Sequence, residues 1–173
     1  MAFTPEDGTG LPDANSYVAL AEADDWLADR GYADWAALAT AERQSRLVRA
    51  TDYLTDMLTF GGERAVDGQG LAWPRLDACD AEGSPIASNV VPSALKRATY
   101  LLALNATTAL TIERERATLS ESVDGVGSRS FAAGNDAPMS MRERFPQVFA
   151  LVAPLIEGSA ESASTGNVRL FRS

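Results

Sequence analysis

The chain of 173 residues contains no histidine. That absence removes the residue that most often serves as general base, as metal ligand, and as partner of a nucleophilic serine or cysteine. Most hydrolase mechanisms go with it, and an enzyme is not expected. The one cysteine, Cys79, can form neither an internal disulfide nor a cysteine zinc site, which suits synthesis in a reducing bacterial cytoplasm. Cations are outnumbered, 15 Lys and Arg against 24 Asp and Glu, for a net charge of -9. The concentrated basic excess that draws proteins to phosphate backbones is therefore lacking. Residues 1–12 have neither the basic flank nor the apolar stretch of a signal peptide. The longest uncharged run, 98–112, is interrupted by polar residues and falls short of the roughly 18 apolar residues a membrane span requires. A soluble, non-exported protein is expected. There is no internal repeat. Gly61, Gly62, Gly68 and Gly70 match neither the dinucleotide fingerprint nor the phosphate loop and read as turn residues, so no cofactor is expected.

The apolar share, 46%, is enough for one modest core. The expected fold is mainly α, a small helical bundle with a short β-hairpin and extended N- and C-terminal arms. The expected divisions are an arm over 1–14, a helical domain over 15–158, and a flexible tail over 159–173. Asn15 and Ser16 can cap a first helix with Tyr17, Leu20 and Leu27 on one face, stopped by Gly31. From Thr40, a candidate cap, Leu47, Ala50, Leu54 and Leu58 follow helical spacing until Gly61-Gly62. Residues 61–91, rich in glycine and centred on Trp73-Pro74, predict an ordered loop pinned by its own aromatic. After Pro92 the chain is apolar nearly all round from Ser93 to about Ile112, as a central helix would be. Alternation over about 116–131 with an Asp124-Gly125 turn signal predicts the hairpin. A last helix follows Pro146, shortened or kinked by Pro154, with Val148, Phe149, Leu151, Val152, Leu155 and Ile156 inward. The Ser-, Ala- and Gly-rich residues 158–166 read as a linker. The alternating residues beyond it could add a strand to a partner's sheet edge.

Charge is uneven. Residues 1–34 hold eight acids against Arg30 alone, a local net charge of -7. Asp25 and Asp29 share a helical face at i and i+4, and with Asp24 could hold a divalent ion through waters, but the plainer reading is a solvated acidic face. Arg43, Arg46 and Arg49 form a basic stripe at i, i+3 and i+6, suited to acids of a neighbouring subunit or helix rather than to phosphate. Trp26 and Trp35 have acidic neighbours and favour core or interface packing over base stacking. Trp73 lies near Arg64 and Arg75 and is the more open case.

Several segments in order carry a family likeness. Ala14-Asn15-Ser16-Tyr17-Val18-Ala19-Leu20-Ala21-Glu22-Ala23-Asp24 is followed by Arg30-Gly31, Trp35 and Leu47-Val48-Arg49-Ala50-Thr51-Asp52-Tyr53-Leu54. Then come Leu71-Ala72-Trp73-Pro74-Arg75, Asp80-Ala81-Glu82-Gly83 with Ile86 and Val91-Pro92, and Arg144-Phe145-Pro146 with 151–155. Together they resemble the head-to-tail adaptor (connector) family of long-tailed bacteriophages, whose members also carry the label of DnaT-like single-stranded-DNA-binding proteins. The likeness covers most of residues 14–158, and Ala-Trp-Pro-Arg is its most telling element.

The resemblance implies a structural subunit of the virion neck at the head-tail interface. It would assemble as a homo-oligomeric ring of about twelve copies beneath the portal protein, above a head-closure (stopper) or tail-terminator protein. Genomic double-stranded DNA would pass through without specific binding. Val168, Arg169, Leu170, Phe171 and Arg172 would form a portal-docking tail, and the strand pair an inter-subunit or tail-facing element. Arg43, Arg46, Arg49, Trp73 and Arg75 are the candidate inter-subunit contacts. Asp24, Asp25 and Asp29 are the candidate lumen-facing acids, since a carboxylate-lined channel repels the phosphate backbone and lets the duplex slide. Both arms are expected to order only on assembly. The alternative function is that of a single-stranded-DNA-binding accessory replication protein, which needs a continuous basic and aromatic groove.

Overall fold

The computed structural model describes residues 2–107, 110 and 140–156, together with the backbone of 122–123 and 127–128. The fold is mainly α. Its helices are α1 (Leu20–Ala28), α2 (Ala33–Ala36), α3 (Thr40–Met57), α4 (Ser93–Asn105), α5 (Met141–Arg144) and α6 (Pro146–Val152), and a 3-10 turn follows at Ala153–Leu155. Among the described residues two antiparallel pairs accompany them. In the first, β1 (Glu63–Arg64) lies on β2 (Arg75–Leu76). In the second, β3 (Ser122–Val123) lies on β4 (Gly127–Ser128), with Val123 opposite Gly127, where a hairpin is expected.

Helix α4 is the hub, packing on α3, α6 and α1. Its buried face, Leu95, Ala98, Thr99, Tyr100, Leu102 and Ala103, alternates large and small side chains so that neighbours approach closely. The helix stops at Asn105, short of the 112 that apolar character suggests. Two polar groups hold that stop. The Asn105 side chain donates back to Leu101 O, and Arg49 on α3 donates to the carbonyl of Ala106, claiming an acceptor at the helix end.

Helix α3 buries Leu47, Ala50, Thr51, Tyr53 and Leu54. Thr40 is its first residue and makes no cap bond, and Leu58 lies beyond its end in extended backbone. Helix α1 begins three residues later than Tyr17. Ser16 Oγ donates to Val18 O and Tyr17 N donates to Thr51 Oγ1, so the fully buried Tyr17 and Val18 enter the core in a bend that precedes the helix. At the other end of the chain, Pro154 takes α6 into the 3-10 turn, as its position predicts.

The N-terminal segment departs from expectation. It is packed on the core rather than extended from it. Pro5 bridges Ser16, Phe3 and Leu11 lie against the core, and Glu6 is 6% exposed. The Glu6 carboxylate accepts from the amides of Gly8, Gly10 and Leu11 at 2.9, 2.9 and 3.0 Å, which ties an acidic loop down internally. Gly8 has φ +101 and sits directly against the Asn89 carbonyl, so no larger residue fits there.

Candidate functional site

Asp24 of α1 and Arg43 of α3 face one another. Asp24 is half-buried: its Oδ2 lies 2.6 Å from Arg43 Nη1 and its Oδ1 2.7 Å from Trp35 Nε1. Arg46 Nε donates to Glu42 Oε1 at 2.8 Å, and Arg49 lies 3.5 Å from the other oxygen of Glu42. Hydrogen bonding from Arg46 holds the Glu42 carboxyl below its ordinary range. Glu22 reaches Lys96 on α4 at 2.8 Å. The stripe is thus engaged inside the protomer, Arg43 by a neighbouring helix and Arg46 by its own.

Asp24 is not the free lumen-facing acid that the sequence suggests, because the Trp35 indole and the Arg43 guanidinium occupy both its oxygens. Asp25 and Asp29 are exposed, and neither takes part in an ion pair among the described residues. No group of three or more Asp, Glu, Cys or His that could hold a metal occurs among the described residues.

Trp73 is 0% exposed, meets Phe60 edge-on at 5.9 Å, and is joined to Pro74 by a cis peptide. It cannot be an inter-subunit contact, because one chain already covers it. Its neighbour Arg75 gathers carbonyls that the irregular 61–91 loop leaves unpaired: Gly61 O at 2.7 Å, Gly62 O at 2.6 Å and Ala72 O at 3.1 Å. The Ala-Trp-Pro-Arg element therefore works as an internal clamp. The same loop is sewn to the end of α6 by Gly61 N donating to Leu155 O and by the Phe60–Ile156 bridge.

Trp26 is the least buried of the three tryptophans. The Arg30 guanidinium sits 3.6 Å above its ring, and Tyr100 lies 5.1 Å away at 34°. Burial, with the nearby Glu22 charge adding to it, pushes the Tyr100 hydroxyl up to about 12. Arg43, Arg46, Arg49 and Lys96 all contact acids or carbonyls of the same chain, whereas Arg142 and Arg144 stand over the rings of Phe149 and Phe145. The portal-docking candidates Val168, Arg169, Leu170, Phe171 and Arg172 lie outside the described residues.

The Glu6 loop and the short helices α2 and α5 escape the sequence reading. The Glu6 loop has only Glu-Asp-Gly-Thr-Gly as a signal, an acid beside two glycines able to turn amides inward. Helix α5 is announced by Ser140 and Glu143, a capping box in which Glu143 N donates to Ser140 Oγ and Ser140 N donates to Glu143 Oε2.

Fold and surface together define a small, mainly helical protein in which Asp24, Glu22 and Glu42 are paired within the chain while Asp25, Asp29 and Asp34 stay exposed. The chain belongs to the family described as "Putative DnaT-like ssDNA binding protein", whose model matches residues 1–173. That description names the alternative function and does not mention a phage connector. No curated protein and no solved structure matches the chain significantly.

Proposed function

We propose that the chain is a structural, non-catalytic adaptor subunit of a tailed bacteriophage, forming a ring between portal and tail through which DNA passes. The observation that supports this reading is how charge is distributed. Arg43, Arg46 and Lys96 contact Asp24, Glu42 and Glu22 of the same chain, while Asp25, Asp29 and Asp34 stand exposed and the one cation of that N-terminal stretch, Arg30, lies over the Trp26 ring. A surface with such uncompensated carboxylates repels phosphate, which a conduit for double-stranded DNA needs and a DNA-holding protein does not. With Asp24 withdrawn, Asp25 and Asp29 are the acids that would face the channel. The test is cryo-electron microscopy of the neck of the virion encoded by the same genome. Density for this chain in a ring below the portal is expected; a ring built of another protein would sink the reading.

The family description supports a second reading, single-stranded-DNA binding in an accessory replication role, more directly than it supports the adaptor. Within the chain its best support is Trp26 beneath Arg30, a pair that can stack on a base. Titration with oligothymidylate, followed by tryptophan fluorescence across a salt series, separates the two. Tight binding that weakens with salt and is lost in Trp26→Ala would establish the second reading and displace the first.

A further inference from the structure

A groove of about 580 Å3 opens between residues 80–94 and the end of α6. Its walls include Ile86, Val90, Leu151 and Leu155, and Asp80 and Glu82 stand at its edge with no cation among the lining residues. Val90 is 40% exposed beside the buried Val91, an apolar side chain left at the opening of an apolar cleft. Such a groove suits an extended peptide that mixes apolar and cationic side chains. The chain itself carries one, Val168-Arg169-Leu170-Phe171-Arg172.

The tether fits. The last described residue, Ile156, adjoins Leu155, which lines the groove. Residues 157–167, rich in Ser, Ala and Gly, separate it from the peptide. A random coil of that length and Ser- and Gly-rich composition has a root-mean-square span of roughly 18 Å. Its reach when extended is roughly 36 Å. The local concentration of the peptide at the groove is then on the order of millimolar, so weak intrinsic affinity suffices.

We propose that residues 168–172 dock into this groove of their own chain, with the apolar side chains on Ile86, Val90 and Leu151 and with Arg169 and Arg172 near Asp80 and Glu82. This inference does not rest on the adaptor reading; in that reading the portal competes for the same five residues.

The test uses the full chain carrying Ser173→Cys in a Cys79→Ser background, both mild changes since Cys79 is exposed and Ser173 is terminal. A nitroxide attached at position 173 should broaden the methyl signals of Ile86, Val90, Leu151 and Leu155, unchanged on dilution. Arg169→Glu with Arg172→Glu should lower that broadening several-fold, and high salt should act in the same direction. Broadening seen only when label and observed methyls are on different chains would assign the groove to a second copy and overturn the proposal. Broadening no greater than in a Leu170→Asp, Phe171→Asp version would overturn it as well.

Discussion

Arg43 reaches from α3 to α1 and places its Nη1 2.6 Å from Oδ2 of Asp24, whose other oxygen holds the Trp35 indole. One carboxylate thereby joins three helices. Asp24→Ala strands a partly buried guanidinium and a buried indole N–H together, at a cost of about 2 kcal/mol. Asp25→Ala, on the exposed side of the same helix, should stay within about 0.5 kcal/mol. Urea denaturation of the two variants checks the contrast, and equal losses would refute the assignment.

The Glu6 carboxylate serves three amides at once. Glu6→Gln replaces one acceptor oxygen by a donor facing an amide, and should cost about 2 kcal/mol. In the wild-type chain the amides of Gly8, Gly10 and Leu11 should be protected from hydrogen exchange, and in the variant they should exchange much faster. Fast exchange of all three in the wild type would show a free arm instead.

Arg75 holds three carbonyls of the 61–91 loop with one planar guanidinium. A lysine ammonium cannot match that fork. Arg75→Lys should therefore lose about 1–2 kcal/mol, at about 1 kcal/mol for each bond not remade. Thermal unfolding reads the loss, and a Tm equal to that of the wild type would mean the clamp is idle.

Burial, with the Asp56 charge one turn on adding to it, raises the Asp52 carboxyl above its ordinary value. A raised carboxyl means that the folded chain binds the proton more tightly than the unfolded one, so this group lowers stability as pH climbs through its titration range. Asp52→Asn should stabilise the protein at neutral pH by about 0.3 kcal/mol, the scale of a like-charge i,i+4 pair. The gain should vanish once pH falls below the unfolded carboxylate range. A gain independent of pH would point to another cause.

Periodicity found the longer helices α1, α3, α4 and α6 because it reports one local fact, which face of a segment is apolar. Leu47, Ala50 and Leu54 on α3, and Leu95, Ala98 and Leu102 on α4, are fully buried as their spacing requires. Pro154 likewise ends α6 where a ring without an amide must. The end of α4 was not legible, because its stop depends on Arg49, far away in the chain. Nor was the seating of residues 2–18. Their acidity and glycines look like a solvated arm until Glu6 is seen to bind three amides of its own loop.

The candidate site divides along the same line. A chain without histidine and with a -7 N-terminal stretch is limited in its chemistry and its attraction to phosphate by composition alone, since the side-chain types present and the formal net charge need no fold. Which charges remain available is another matter. Asp24, Arg43 and Arg75 read as surface groups in the sequence, and tertiary structure turns them inward onto partners up to 19 residues away, leaving Asp25 and Asp29 to solvent. The physical reason is that a charge is free or spent according to what lies within a few ångströms of it, and that distance is set by packing, not by order along the chain.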